Sequence, residues 1–524
     1  MTKSESPESI VNEERRSPGA ATADVASDLE KTRPRLARLN DLIYPAALLA
    51  SISIWLLAIR APLWLDETLA YWQVSGGFWK IWSRSQLMPS SIGYLYTLWL
   101  FKSIFGVHEI ALKIPSTLAM LGAAYFLFRA ARELLGQEIA FIVCIFFCLE
   151  TSVVFAATDA RPYAFALLTS NLAIFAFTAW MRRRRMRQAI GFGAAAGGIL
   201  YFHYLFAAIL PAFVIYYMVV RYRSIRRDAR QLAAVVASFT LVTLPLVYRV
   251  LRLYHTRETH VVQELRHPVL AALNTLAPKE LLIGFVATLF LAALLRKIKL
   301  PGHDRFPQAL LCALLAVVPA GMLFGISAAT QVHLVIPRYF SVVAPGSALT
   351  WGLLTSFIDS GLLRKVFTAG LAAITAFQCF SSSLSRRHEL NFKQAHAFVN
   401  ANVADEKGRV PVLICSAFIE SNFEPLPTDQ SSENALASQL SYYPVHAPVV
   451  FLPMSVNDEA LRIGGQAVLA AAQKHTRFLA VAPPSSYETI EWLAAYSRGQ
   501  FTAKLLGEFD EIVVVEFRPA TVIE

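Results

Sequence analysis

From residue 42 to about residue 383 the chain alternates long apolar runs with short basic clusters. The runs approach the length that a ~30 Å hydrocarbon core demands of a helix. Spans are expected at about 42–59, 114–131, 138–157, 162–181, 189–202, 205–220, 231–250, 281–295, 308–328, 340–357 and 366–383, which makes about 11 transmembrane helices. A long loop from Arg60 to about Lys113 separates the first two, and its stretch Ser90 to Phe105 is amphipathic and aromatic, as suits a membrane interface. Beyond Ser385 the pattern changes. Short strand-like runs at Val410–Cys415, Val449–Pro453, Phe478–Ala482 and Glu511–Phe517 alternate with helical periodicity over Leu461–Lys474 and Tyr487–Ser497. This predicts a small α/β domain over residues 385–524. Residues 1–36 are polar and lack an apolar signal-peptide core, so a disordered cytoplasmic tail is expected there. The fold class is a polytopic α-helical membrane protein followed by a small extracytoplasmic α/β domain.

Composition agrees. The chain is 55% hydrophobic and 16% charged, with a mean hydropathy of +0.46, against the ~25% charge usual in soluble domains. The net charge of +11 comes from clusters between apolar runs, which suits topology markers better than a nucleic-acid surface, and no nucleic-acid partner is expected. Lys31, Arg33, Arg35 and Arg38 precede the first span and put the N-terminus in the cytoplasm. Walking outward and back, Arg129 and Arg132, the run Arg182 to Arg187, the stretch Arg221 to Arg230, Arg296 with Lys297, and Arg364 with Lys365 all fall on the same inner side. The C-terminal domain then lies outside. The five cysteines have no metal-ligand spacing, and Gly464-Gly465 lacks the fingerprint of a nucleotide site.

The charge walk also gathers Asp66, Glu67, His108, Glu109, Asp159, Arg161, Tyr163, His203, Tyr204, Arg338 and Tyr339 at the outer surface. Singly, each has a bland role: arginines snorkel to headgroups, tyrosines anchor interfaces and loop carboxylates are solvated. Together, from separate stretches of chain, they offer carboxylates for proton transfer and guanidiniums for an anion. Asp66 is the candidate general base; its neighbour Glu67 must point elsewhere in a helix or an extended segment. A lipid or solute transporter is an alternative, since membrane-edge charges also mark transport paths. A non-catalytic scaffold is another.

Four stretches then carry a family resemblance: Pro62-Leu63-Trp64-Leu65-Asp66-Glu67; Phe105-Gly106-Val107-His108-Glu109 with Leu112-Lys113-Ile114-Pro115-Ser116; Asp159-Ala160-Arg161-Pro162-Tyr163-Ala164; and Pro337-Arg338-Tyr339. Over about residues 40–380 the chain resembles the GT-C integral-membrane glycosyltransferases, in the group of protein mannosyltransferases, aminoarabinose transferases of lipid A and lipopolysaccharide galacturonic acid transferases. The resemblance implies a catalytic membrane domain over 37–384 that moves a sugar from a polyprenyl-phosphate donor to an envelope glycan, glycolipid or protein at the outer face of a bacterial inner membrane. It implies Asp66, Glu67 and Asp159 as catalytic carboxylates, Arg161, Arg338 and Lys113 at the donor phosphate, and Tyr163, His203, Tyr204 and Tyr339 at the substrate. The chain departs from the family where a Lys-Pro-Pro or His-Pro-Pro element reads Met88-Pro89-Ser90, and where Lys113 replaces an arginine; Lys102 is a further candidate for the missing cation. A divalent ion is a possible cofactor, drawn from Asp66, Glu67, Asp159, His203 and the loop histidines His255, His260 and His267.

Overall fold

The computed structural model describes residues 42–87, 91–248, 305–329, 338–380, 390–406, 409–427 and 434–520, with the single positions 251, 334 and 336. The expected tail, the span at 281–295, Met88-Pro89-Ser90 and the loop histidines lie outside these residues.

Apolar helices build a bundle. Helix α1 is Leu42–Ala58. The loop after it, expected to hold one amphipathic stretch, holds three helices instead: α2 (Leu65–Ser75), α3 (Phe78–Leu87) and α4 (Ile92–Phe105). Their apolar faces close on a core of their own, in which Leu63, Ala70, Val74 and Ile81 meet Tyr94, Leu95, Leu98, Leu112 and Ala160. Next come α5 (Glu109–Leu135), α6 (Gln137–Leu149), α7 (Thr151–Ala157), α8 (Tyr163–Arg183) and α9 (Met186–Phe202), then α10 (Leu210–Arg221) and α11 (Ile225–Thr243). Helices α12 (Phe306–Ala329), α13 (Ala344–Thr355) and α14 (Gly361–Gln378) complete the bundle. Helix α8 packs along both α5 and α9, and α9 along α11. Small residues permit the closest crossings: a Cβ at Gly193 would strike Ser238 and the Val235 carbonyl, and one at Gly346 the backbone of Leu315.

Among the described residues, four helical runs are long and apolar enough to cross a membrane, namely Glu109–Leu135, Tyr163–Arg183, Tyr204–Leu246 and Phe306–Ala329. A bent pair, α6 with α7, makes a fifth. Tyr204–Leu246 passes as one helical run over two expected spans, with a 3₁₀ turn at Tyr222–Ser224 in the basic stretch. The expected span 138–157 is broken by 72°. The break has a local cause: Glu150 ends α6 and its carboxylate accepts the Val153 N–H at 3.0 Å, capping α7.

The C-terminal domain contains α15 (Phe392–Val403), α16 (Ser438–Tyr442), α17 (Asp458–Gln473) and α18 (Tyr487–Tyr496) around strands β1 (Val412–Cys415), β2 (Val449–Leu452), β3 (Phe478–Ala482), β4 (Phe501–Phe509) and β5 (Ile512–Pro519). The strand order is β2-β1-β3-β5-β4. The first three strands run parallel and β5 pairs antiparallel to β3 and β4. The four expected strands appear, β3 at its expected bounds and the other three with shifted ends, and β4 is an addition. Its residues are mostly exposed and include Lys504 and Glu508, so no alternating apolar signal marked it. One apolar core joins this domain to α2, because Leu65, Leu69 and Trp72 pack with Phe392, Val399, Leu436, Leu440 and Phe451.

Candidate active site

Helix α2 places two neighbouring carboxylates in different settings. Successive helical side chains diverge by about 100°, so Asp66 and Glu67, in the first turn of α2, face different partners. Asp66 reaches Arg161 at 3.5 Å and Arg338 at 3.4 Å, with 17% of its side chain exposed. Glu67 is buried; one oxygen accepts the Ala160 N–H at 2.6 Å, and the other accepts the Trp64 N–H at 3.1 Å and lies 3.7 Å from Lys113. That geometry ties the start of α2 to the Asp159–Arg161 turn.

The turn is held from other sides too. Thr117 on α5 donates to the Ala157 carbonyl at 2.7 Å, and the Trp64 indole donates to Asp159 at 2.9 Å. The break at Glu150 precedes this turn, so α7 delivers it to α2. Arg338 lies 5.4 Å from the Trp64 ring and 5.6 Å from the Tyr339 ring, a cation–π arrangement. Beneath it His203 packs 5.1 Å from Tyr163, 5.7 Å from Tyr339 and 5.3 Å from Phe206. Burial first, then the positive charges of Arg161 and Arg338, push His203 down to about 3, which leaves it a neutral ring at physiological pH. Its Nδ1 is buried without a hydrogen-bond partner among the described residues.

Charge balance is notable for such a buried place. Lys113, Arg161 and Arg338 stand against Asp66, Glu67 and Asp159, which compensates the cost of taking ions from water. Among the described residues, the buried Nε atoms of Arg161 and Arg338 have no hydrogen-bond partner. A buried unmet donor costs about 1–3 kcal/mol, and an anion with several oxygens is the group that would meet both.

Residues 90–262 match the model of the dolichyl-phosphate-mannose-protein mannosyltransferase family. The matched stretch holds Asp159, Arg161, Tyr163 and His203 and stops short of Asp66 and Arg338. The structure is similar to that of ArnT from Cupriavidus metallidurans bound to undecaprenyl phosphate, with a TM-score of 0.53 at 14% identity over 91% of this chain and 97% of that one. The apo state of the same ArnT matches with a TM-score of 0.53 at 13% identity, over 92% and 98% of the two chains. The chain has the fold of ArnT. No curated protein sequence matches it.

Within this fold, Asp66, Glu67, Asp159, Arg161, Arg338, Tyr163, Tyr339 and His203 come together from α2, the turn before α8 and its first residue, the end of α9 and the segment before α13. Lys113, expected at a donor phosphate, is instead fully buried behind Glu67 and donates to the Ala61 carbonyl at 2.6 Å. Lys102 donates to the Val74 carbonyl at 2.8 Å, at the end of α2. Tyr204 opens a 3₁₀ turn, and among the described residues no hydrogen bond or ring contact ties it to the cluster. His108 caps α5 by position, and Glu109 turns to the C-terminal domain. Among the described residues no group of three His, Cys, Asp or Glu side chains is placed to hold a metal ion. Trp64 is the site residue that sequence reasoning missed; its signal was its place inside the Pro62-to-Glu67 motif.

Proposed function

We propose that the protein is a glycosyltransferase that moves a sugar from a polyprenyl-phosphate donor to an envelope acceptor at the outer face of a bacterial inner membrane. The acceptor class comprises lipid A, lipopolysaccharide core, another glycan or a protein. The observation that carries the proposal is Asp66 held between Arg161 and Arg338 at one end of an apolar bundle. That end would let a lipid tail stay in the bilayer while its phosphate meets guanidiniums.

The donor phosphate takes over the two arginines and so releases Asp66 from them. An acceptor hydroxyl then attacks the anomeric carbon, its proton passes to Asp66, and the bond from that carbon to the phosphate oxygen breaks. Polyprenyl phosphate departs with its charge stabilised by Arg161 and Arg338. Direct displacement inverts the anomeric centre. Glu67, paired with Lys113 and bonded to the Ala160 N–H, holds α2 against the arginine turn. Asp159 orients Trp64. Tyr163, Tyr339 and neutral His203 offer an aromatic floor to the sugar. The ArnT structure with undecaprenyl phosphate supports the donor class by its shared fold.

Titration of the full-length protein with undecaprenyl phosphate tests the reading. Arg161→Ala and Arg338→Ala are each expected to weaken binding at least tenfold; equal affinity in both variants and the wild type would remove the phosphate from this site.

A further inference from the structure

The C-terminal domain reaches the site through one hydroxyl. Tyr443 Oη donates to Glu109 Oε1 at 2.7 Å and accepts the Leu63 N–H at 2.9 Å. Leu63 is followed by Trp64, whose backbone N–H bonds Glu67 and whose indole bonds Asp159. The Tyr443 hydroxyl is thus one residue removed from the bonds that set both the first turn of α2 and the Asp159–Arg161 turn.

Tyr443 is itself fixed from several directions. The His396 ring pairs through Nδ1 with the Tyr443 carbonyl at 2.7 Å, and the Tyr443 N–H donates to the Gln439 carbonyl at 2.9 Å. Its ring packs edge-on to Tyr442 at 4.8 Å, and Tyr442 packs edge-on to Tyr71 of α2 at the same distance. Lys393 supports the acceptor, 3.1 Å from Glu109. On the flank of α2 next to Asp66, Leu65, Leu69 and Trp72 sit in the domain's own apolar core. Asp66 therefore projects from a helix of which one adjacent flank belongs to the C-terminal domain and whose preceding segment is clamped by Tyr443.

We propose that Tyr443, with Glu109 as its acceptor, is a positioning residue of the active site, and that the C-terminal domain is a working part of the donor-binding machinery rather than an appended module. This rests on the reading of the Asp66–Arg161–Arg338 cluster as the donor-phosphate site. A hydroxyl that accepts from one chain segment and donates to another fixes both at once, and neither Phe nor a water-filled gap reproduces the pair of bonds.

The test uses the full-length protein in nanodiscs, with undecaprenyl phosphate as probe. In Tyr443→Phe the Leu63 amide is expected to exchange with deuterium at least tenfold faster, and undecaprenyl phosphate to bind three- to tenfold more weakly, with the melting temperature held within about 3 °C. Tyr442→Phe, which loses only the bond to the Val107 carbonyl, is expected to leave both readouts as in wild type. Glu109→Gln supplies a second route, with exchange at Leu63 raised at least threefold. Unchanged exchange at Leu63 in Tyr443→Phe and Glu109→Gln, or faster exchange with unaltered lipid affinity, overturns the proposal. If the wild type itself fails to bind undecaprenyl phosphate, the donor reading falls, and Leu63 exchange alone then decides whether Tyr443 clamps the segment.

Discussion

Asp66 and Glu67 share one motif and play opposite structural parts. Glu67 is buried with Lys113, and removing one partner of a buried ion pair costs about 3–5 kcal/mol because the other charge stays behind. Glu67→Gln is therefore expected to lower the melting temperature and folded yield, and Glu67→Gln with Lys113→Met to recover part of both; melting curves in one detergent compare them. Arg161→Lys keeps the charge near Asp66 but loses the planar fork, so transfer is expected to drop about 10²-fold while the protein stays folded. EDTA is expected to leave transfer intact, since the two guanidiniums supply the positive charge; loss of transfer would assign that charge to a metal. Asp66, Arg161 and Arg338 were legible in the sequence because the charge walk put separate motifs on one surface. The burial of Lys113 was not, because its place behind Glu67 follows from how α2 meets α5, and a lysine at the head of a span reads the same facing either way.

At the scale of elements, two features decide where the site residues sit. The first is the break between α6 and α7, where Glu150 caps the second helix. Glu150→Ala should cost about 1 kcal/mol as a lost cap and should weaken undecaprenyl phosphate binding by loosening the Asp159–Arg161 turn, an outcome that paired melting and binding curves can check. The second is the apolar face of α2 within the C-terminal core. Trp72→Ala is expected to destabilise by about 3–5 kcal/mol, the usual cost of emptying a buried aromatic site. Apolar runs announced most helices at their observed positions, since burial and lipid both select the same residues. The 72° break escaped because the polar trio Glu150-Thr151-Ser152 is short enough to pass within one apolar run; α2 and α3 escaped because much of their length is polar or aromatic, while α4 falls on the amphipathic stretch expected at Ser90 to Phe105. Strand β4 escaped for the related reason that its side chains are largely exposed.

For the whole molecule, the bundle and the C-terminal domain form a joint enclosure around α2. The bond from Tyr443 to Glu109 spans 334 residues of sequence, and no local periodicity encodes such a pairing. Both parts carry a histidine kept neutral by its surroundings. Burial and the nearby arginines hold His203 at about 3, and burial holds His396 at about 4 even though its bond to the Tyr443 carbonyl acts the other way. Below pH 6.5 the unfolded chain takes up protons at these positions that the folded chain refuses. Stability is therefore complete above pH 6.5 and is expected to fall toward pH 4, by at most about 1.4 kcal/mol per pH unit per histidine. His203→Gln should flatten that slope in melting curves taken from pH 7 to pH 4. The central claim is that Asp66 accepts the proton in sugar transfer, and mass spectrometry of envelope glycans from a deletion strain tests it most directly. Complementation with the wild-type gene is predicted to restore a sugar-bearing species that the deletion lacks, while Asp66→Asn, expressed to the same level, restores none; full restoration by Asp66→Asn, or identical glycans with and without the gene, would contradict the account.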